Sequence, residues 1–185
     1  MIARLLAALL LVTWPLQSLD DAVARTVQGS RAPALEPVAR AISDRSRPAL
    51  ALAAVTGLLV GGAARVATVE GLVVLLPVNL AVEGLKRATF RARPDGEHRR
   101  SNAAFPSSHA ANAFAVATVL ARRWKRATLP AFALASLVGW SRLYLNRHWL
   151  SDVAVGAALG VGLAMLVLAL WQRGSTGRPR TAETA

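Results

Sequence analysis

The 185-residue sequence contains no cysteine and few acidic residues, and both features narrow the chemistry that it can perform. The lack of cysteine excludes disulfide bonds, thiolate metal sites and cysteine nucleophiles. Ten Asp or Glu residues stand against 22 Lys or Arg residues, which gives a formal net charge of +12. In a soluble protein this charge would suggest nucleic acid, but here the basic residues lie between apolar runs. We therefore expect no nucleic-acid partner and assign the charge to lipid head groups or a phosphorylated substrate.

The apolar runs indicate an integral membrane protein. Hydrophobic residues make up 54% of the chain, and the mean hydropathy is +0.40. Because a spanning helix takes about 20 residues, six spans and their loops would use nearly the whole chain. We predict an all-α bundle of six transmembrane helices, with spans near residues 5–19, 48–64, 66–82, 107–121, 127–141 and 153–171. A tight turn at Arg65 would join the second and third spans.

The two ends of the predicted bundle need separate treatment. A basic start and a short apolar core also describe a cleaved signal peptide, but no A-x-A-like site lies between Trp14 and Ala24. We therefore favour a retained first helix within a single domain over residues 1–172, followed by a polar, disordered tail at 173–185. Between the first two spans, four apolar residues lie near one face of a predicted short interfacial helix: Leu35, Val38, Ala39 and Ile42.

The distribution of basic residues bears on the orientation in the membrane. Six spans place both termini on the same side as the basic cluster at residues 122–126, and the positive-inside rule makes that side cytoplasmic. A raw count disagrees, since 13 Lys or Arg residues would lie outside and nine inside. Either the orientation is reversed, or the outer cations bind an anion. We adopt the second interpretation, with cytoplasmic termini and a functional face toward the periplasm or exterior of a bacterial inner membrane.

Three short segments carry the candidate functional residues, and the first contains Lys86 and Arg93-Pro94. The seven-residue spacing would put both cations on one face of a helix. They would lie about 10 Å apart along the axis and could hold one anion between them. The alternative is that both side chains extend to lipid head groups, as basic residues at the end of a span commonly do.

The second segment is Pro106-Ser107-Ser108-His109, which is followed by an Ala-rich helical sequence. Serine is a good N-cap, and a preceding proline sets the entry into the helix. Free N–H groups, hydroxyls and the positive end of the helix dipole would together favour a phosphate. The alternative is an ordinary capped helix with an incidental histidine.

The third segment runs from Ser141-Arg142 to Asp152, with His148 four residues before Asp152. At this spacing the two side chains share a helix face and can form a hydrogen bond. A carboxylate on one imidazole nitrogen fixes the tautomer, leaves the other nitrogen free to attack and stabilises the positive charge that develops. The alternative is a helix-capping Asp beside a surface His.

The coincidence of the three segments favours function over these alternatives. The chain has three histidines, and two of them, His109 and His148, open helices on the same predicted side. Lys86, Arg93 and Arg142 reach that side too, and phosphoryl transfer requires charge neutralisation at the non-bridging oxygens. Because the sequence has no HExxH motif, Asp cluster or Cys ligand, side chains would supply the positive charge. We predict a metal-independent reaction that needs no cofactor.

Taken together, the patterns K-x6-RP, P-S-S-H and SR-x5-H-x3-D resemble the signature of the type 2 phosphatidic acid phosphatase superfamily, which vanadium haloperoxidases share. The resemblance covers about residues 86–160. It implies that His148 is the nucleophile that forms a phosphohistidine, that Asp152 orients it, and that His109 protonates the leaving oxygen. It assigns phosphate binding to five residues: Lys86, Arg93, Ser107, Ser108 and Arg142. The sequence departs from the signature at Ser108, where the family has Gly, so this amide must contribute despite a Cβ.

With six spans, the resemblance implies a membrane phosphatase that hydrolyses a lipid phosphomonoester or diphosphate. Undecaprenyl diphosphate, phosphatidate and phosphatidylglycerophosphate all fit as substrates, and the sequence does not choose among them or indicate an oligomeric state. One alternative is a non-catalytic protein that binds or transports anionic lipids. A second is a vanadate-dependent haloperoxidase, against which the spans argue because the haloperoxidases of this superfamily are soluble.

Overall fold

The structure is a computed structural model that describes residues 16–97 and 102–176, with side chains up to residue 173. Within these ranges the chain forms six α-helices: α1 (Gln17–Gly29), α2 (Glu36–Val60), α3 (Gly62–Thr89), α4 (Ser108–Arg123), α5 (Thr128–Tyr144) and α6 (Leu150–Thr176). Short 3-10 helices at Pro33–Leu35 and Lys125–Ala127 precede α2 and α5. The predicted all-α class is confirmed for the described residues.

The two ends of the predicted domain lie only partly within the described residues. Most of the first predicted span, residues 5–15, lies outside them, as do residues 177–185 of the predicted tail. Helix α1 begins at Gln17 and contains Asp20, which the sequence placed just beyond the first span. Helix α6 continues through Thr176, past the predicted start of the tail at residue 173.

The predicted interfacial helix and second span are one continuous helix, α2, so the predicted separation between them is wrong. Pro48 lies inside α2 without ending it. Of the apolar residues predicted on this face, Val38 is exposed and Ala39 is buried, while Leu35 is exposed and lies in the 3-10 helix before α2. The N-terminal half of α2 instead buries Ser43, which contributes to the site described below.

The turn between α2 and α3 lies at Gly61-Gly62 and not at Arg65, as the sequence suggested. Both glycines have positive φ, 82° and 53°, a conformation that glycine adopts without a Cβ penalty. Arg65 lies in the first turn of α3 and donates from Nε to the carbonyl oxygen of Leu58 at 2.9 Å. It thus satisfies a carbonyl near the end of α2.

Helix α4 is central, because it packs against α3, α5 and α6. The core between α3, α4 and α6 consists of small and β-branched residues with one leucine: Val74, Val78, Val82, Ala111, Ala115, Val119, Ala164 and Leu168. Helix α6 packs closely on α4 at Gly156 and Gly160, since a Cβ at either position would collide with a backbone oxygen of Ser107 or Ala111. This close approach brings the start of α6 against the start of α4.

Two of the described helices are long and apolar enough to cross a membrane, namely α3 and residues Leu150–Arg173 of α6. Helices α4 and α5 have 16 and 17 residues, which is fewer than the roughly 20 residues of a typical span. Large apolar side chains nevertheless face outward on several helices, including Leu59, Leu80 and Leu129, which are 77%, 66% and 80% exposed. An exposed apolar surface of this kind is typical of a membrane or protein contact.

Candidate active site

One end of the bundle holds an open polar cavity of about 1310 Å³. It lies where the N-terminal ends of α2 and α4 meet the C-terminal ends of α3 and α5 and the loops that follow these two helices. Six of the eight predicted site residues line it: Lys86, Arg93, Ser108, His109, Arg142 and His148. The other two, Ser107 and Asp152, are fully buried and lie outside the lining.

Lys86 lies in helix α3, whereas Arg93 lies in the loop that follows it. The prediction that the two share one helix face is therefore wrong. Helix α3 ends at Thr89 because Phe90 adopts a left-handed conformation with φ 47°, and Arg93 lies in the loop beyond. Lys86 Nζ donates to the carbonyl oxygen of Ala103 at 2.6 Å. A turn in the chain, and not helical periodicity, therefore brings the two cations together.

Arg93 is held in place by Asn102, which lies on the other side of the same loop. Its Nε donates to the Asn102 carbonyl oxygen at 3.1 Å, and its Nη2 donates to Asn102 Oδ1. Burial lowers the pKa of Arg93, while the carboxylates of Glu97 and Asp95 act in the opposite direction. The guanidinium is thus held by two neutral acceptors of Asn102, and the Glu97 carboxylate approaches its Nε at 4.0 Å.

The P-S-S-H segment forms the predicted helix start. Ser107 is the N-cap of α4, and its Oγ accepts from the Ala110 N–H at 3.5 Å. Its own N–H donates to the Asp152 carbonyl oxygen at 2.9 Å, and its carbonyl oxygen accepts from the Ala111 N–H at 3.0 Å, so all three of its polar groups bond to protein. Ser108 faces the cavity, and its Oγ accepts from Arg47 Nη2 at 3.0 Å.

His148 lies in the loop before α6, and Asp152 lies in the first turn of that helix, so the predicted shared helix face is wrong. The two side chains still face each other, but Nδ1 of His148 lies 3.6 Å from Oδ2 of Asp152, so the predicted hydrogen bond is not formed. The same oxygen accepts from the Trp149 backbone N–H at 2.8 Å, as an acidic residue at N3 does in a capping box. Asp152 therefore both caps α6 and faces the imidazole.

The environment of His148 favours its neutral form. The side chain is almost fully buried, and this burial lowers its pKa to about 4 although Asp152 acts in the opposite direction. At neutral pH the ring is then uncharged and carries a lone pair on one nitrogen. With Nδ1 toward Asp152, the ring nitrogen available to a ligand in the cavity is Nε2.

Arg142 lies at the C-terminal end of α5 and is held by a contact that the sequence did not indicate. Its Nη1 donates to Oγ of Ser43 on α2. Its Nε is buried and has no acceptor among the described residues. A buried donor without a partner is costly, and an anion in the cavity would supply the missing acceptor.

Two further residues that the sequence did not single out support Asp152 from behind. Arg91 donates from Nη1 to Asp152 Oδ1 at 2.8 Å and from Nη2 to Asp20 Oδ2 at 2.7 Å. Asp20 is 1% exposed and also accepts from the Ser151 N–H at 2.8 Å. In the sequence, Asp20 directly follows the apolar run of residues 5–19. That position indicates the end of a span but gives no sign of a contact with Arg91 or Ser151.

The charges around the cavity are partly neutralised by carboxylates. Seven Lys or Arg residues and five Asp or Glu residues line it. Glu36 pairs with Arg31 at 3.1 Å and with Arg40 at 2.6 Å, and Asp95 pairs with Arg147 at 3.1 Å.

Three lining cations keep their charge. Within residues 16–97 and 102–176, none of Arg47, Lys86 and Arg142 has a carboxylate oxygen within 4.0 Å. The same ranges contain no group of three His, Asp or Glu side chains that could hold a metal ion. Arg47, Lys86 and Arg142 can present positive charge to an anion in the cavity.

Sequence comparison places this geometry in a family. Residues 67–175 match the family model described as the PAP2 superfamily. Phosphatidylglycerophosphatase B of Bacillus subtilis is 31% identical in an alignment 179 residues long that covers 88% of this chain and 88% of that one. Lipid A 1-phosphatase of Porphyromonas gingivalis is 43% identical over 75 residues, 38% of this chain, and the match spans 16% of that protein's length.

Solved structures show the same fold. The crystal structure of a transmembrane PAP2-type phosphatidylglycerolphosphate phosphatase from Bacillus subtilis superposes with a TM-score of 0.73 at 28% identity, covering 95% of this chain and 94% of that one. The structure of Aquifex aeolicus LpxE gives 0.69 at 24% identity, covering 82% of this chain and 95% of that one. Likeness to a transmembrane enzyme over nearly its whole length indicates an integral membrane protein. The chain belongs to the PAP2 superfamily, the family that its three motifs predicted.

Proposed function

We propose that the chain is a metal-independent lipid phosphatase that transfers a phosphoryl group from a lipid to His148 and then to water. The observation that carries the proposal is the position of His109 and His148 on one cavity with three cations, Lys86, Arg93 and Arg142. The named relatives act on lipid phosphates, which supports the class of substrate.

In the first step, the neutral Nε2 of His148 attacks phosphorus, and the bond between phosphorus and the lipid oxygen breaks. His109 donates its proton to that oxygen, so the lipid leaves as an alcohol or, from a diphosphate, as a monophosphate. Burial and the surrounding cations disfavour a protonated His109, and the negative charge of the bound phosphate acts in the opposite direction. Asp152 stabilises the positive charge that develops on the His148 ring.

In the second step, water attacks the phosphohistidine while neutral His109 accepts a proton from it. The bond between Nε2 and phosphorus breaks, and inorganic phosphate and the neutral histidine are regenerated. Lys86, Arg93 and Arg142 neutralise the non-bridging oxygens in both steps, where charge stabilisation contributes most to phosphoryl transfer.

The roles of Ser107 and Ser108 follow from their contacts. Ser107 caps α4 and fixes the start of this helix against Asp152. We therefore assign it a positioning role and not a direct contact with the phosphate. The amide of Ser108 lies at the positive end of α4, where free N–H groups favour a phosphate oxygen.

We propose six spans, the first of them mostly outside the described residues, with the cavity at the outer membrane–water boundary of a bacterial inner membrane and both termini in the cytoplasm. Helix α4 begins at the cavity and ends at Arg122-Arg123, so the basic cluster at 122–126 lies at the opposite end. This arrangement fits the positive-inside rule. A lipid in the outer leaflet could then present its head group to the cavity while its tail stays in hydrocarbon.

The test is phosphate release by the purified full-length chain in detergent with phosphatidate, phosphatidylglycerophosphate and a polyprenyl diphosphate. We expect release that persists in EDTA, is blocked by vanadate, and falls to background in His148→Ala. Size-exclusion chromatography of the variant checks that it remains folded. Activity that requires added Mg²⁺ would contradict the mechanism, and lipid binding without any phosphate release would indicate a non-catalytic binder.

A further inference from the structure

Arg47 on α2 lies outside the three motifs, yet it lines the polar cavity beside the signature residues. It also lines a second, apolar groove of about 230 Å³ between α2, α4 and α5. This groove is walled by small and aliphatic residues that include Leu50, Val116 and Leu134. Arg47 and His109 are the two residues that line both spaces, so they mark the junction between them.

Within the described residues Arg47 forms no ion pair, although Asp44 lines the same cavity. Among the described residues, the other cations at the α2 side of the cavity, Arg31 and Arg40, pair with Glu36. Arg47 has no carboxylate within 4.0 Å in the same part of the chain, and its recorded partner is the Ser108 hydroxyl. In this respect it resembles Lys86 and Arg142, which face the cavity with their charge free.

Arg47 lies between the polar cavity and the apolar groove, and this position can be compared with the order of the parts of a lipid substrate. A lipid whose reacting phosphate lies against His148, with its hydrocarbon chain in the apolar groove, must pass its connecting group through the junction. The connecting group is an ester oxygen in a lipid with one phosphate. In a lipid diphosphate or a phosphomonoester–phosphodiester lipid, it contains a second phosphate.

We propose that Arg47 binds a second phosphate of the substrate, located between the reacting phosphate and the hydrocarbon chain. The enzyme would then favour lipids with two phosphates over lipids with one. The Ser108 hydroxyl, present where the family has Gly, would hold the guanidinium at the junction. This inference rests on the proposed function, because it concerns the substrate of the same site.

The experiment compares kcat/KM for two substrate pairs with matched tails, in detergent micelles at fixed ionic strength. One pair is a polyprenyl diphosphate with its monophosphate, and the other is phosphatidylglycerophosphate with phosphatidate. We expect the wild type to prefer the two-phosphate member of at least one pair, and Arg47→Gln to lower that preference about tenfold, as for the loss of one charge-assisted contact. The pair that responds identifies which second phosphate is bound.

Arg45→Gln is the matched control, since Arg45 is an exposed arginine on the same helix that lines neither space. It should leave both preferences unchanged. An active wild type whose preferences are unaltered by Arg47→Gln would overturn the inference alone. Equal losses on one-phosphate and two-phosphate lipids would also overturn it, because they would show that Arg47 only supports the start of α4. Absence of phosphate release from every lipid would overturn the proposed function and this inference with it.

Discussion

The Asp152 carboxylate is shared between the nucleophile and groups that the motifs do not include. One oxygen faces His148 at 3.6 Å and accepts from Trp149, and the other accepts from Arg91. The ion pair with Arg91 fixes the Asp152 carboxylate and partly neutralises its negative charge. Asp152 therefore stabilises a positively charged His148 ring less than an unpaired carboxylate would. Asp20 forms a second ion pair with Arg91. Its negative charge therefore weakens the attraction between Arg91 and Asp152.

Asp20→Asn should weaken both stability and activity. The substitution leaves Arg91 with a single carboxylate, and breaking a buried hydrogen-bonded pair of this kind costs about 1–3 kcal/mol of unfolding free energy. Without the charge of Asp20, Arg91 would attract Asp152 more strongly. Asp152 would then stabilise the positive charge on His148 less, so the rate of phosphate release should fall. Thermal unfolding in detergent and phosphate release from one lipid phosphate measure the two effects.

Asp21→Asn is the matched control, because Asp21 is the next residue of α1 and its recorded partner is the Gln17 side chain at 3.1 Å. It should unfold and turn over like the wild type. Equal behaviour of the two variants would contradict a supporting role for Asp20.

Sequence reasoning found the residues that lie within motifs and missed the partners that fix them. Arg142 and Ser43 are 99 positions apart, Arg91 and Asp20 are 71 apart, and Arg47 and Ser108 are 61 apart. Spacing along the chain reports local geometry, whereas these contacts depend on how α1 and α2 pack against the end of the bundle.

The packing of α6 on α4 places Asp152 beside the start of α4, and it depends on glycines. A Cβ at Gly160 would collide with the backbone of Ala111 and Ala115, which cannot move aside as a flexible side chain can. Gly160→Ala should therefore lower the free energy of unfolding by about 1–3 kcal/mol, as overpacking does in other cores. Melting in detergent measures this effect.

Gly162→Ala provides the comparison on the same helix, since no atom lies within 4 Å of its added Cβ. It should be neutral or stabilising by up to about 1 kcal/mol, because Ala has the higher helix propensity. If Gly160→Ala were as stable as Gly162→Ala, the close approach of α6 and α4 would be wrong.

At the scale of elements, apolar runs predicted most helices but not where α2 begins and ends. Pro48 and the charged residues before it suggested two separate helices, whereas the chain continues through Pro48. The chain turns at Gly61-Gly62, where both glycines adopt positive φ. The charge of Arg65, on which the prediction of the turn was based, does not mark it. Lys86 and Arg93 met through the Phe90 turn, which periodicity could not predict.

The molecule has its polar cavity at one end and the basic cluster of residues 122–126 at the other. We expect the cavity end to face the cell exterior. Because the chain has no cysteine, single cysteines can report each end without background. Arg45→Cys should react with a membrane-impermeant maleimide in intact bacterial cells, and Arg126→Cys only after permeabilisation. The reverse pattern would invert the proposed topology.

The central claim is that His148 carries the phosphoryl group between lipid and water. The most direct measurement is to mix the purified protein with a lipid labelled in its reacting phosphate, quench rapidly in alkali and locate the label by peptide mapping. The mechanism predicts alkali-stable, acid-labile label on the peptide that contains His148, and none in His148→Ala. Phosphate release by the wild type with no label on His148, or undiminished turnover by His148→Ala, would contradict it.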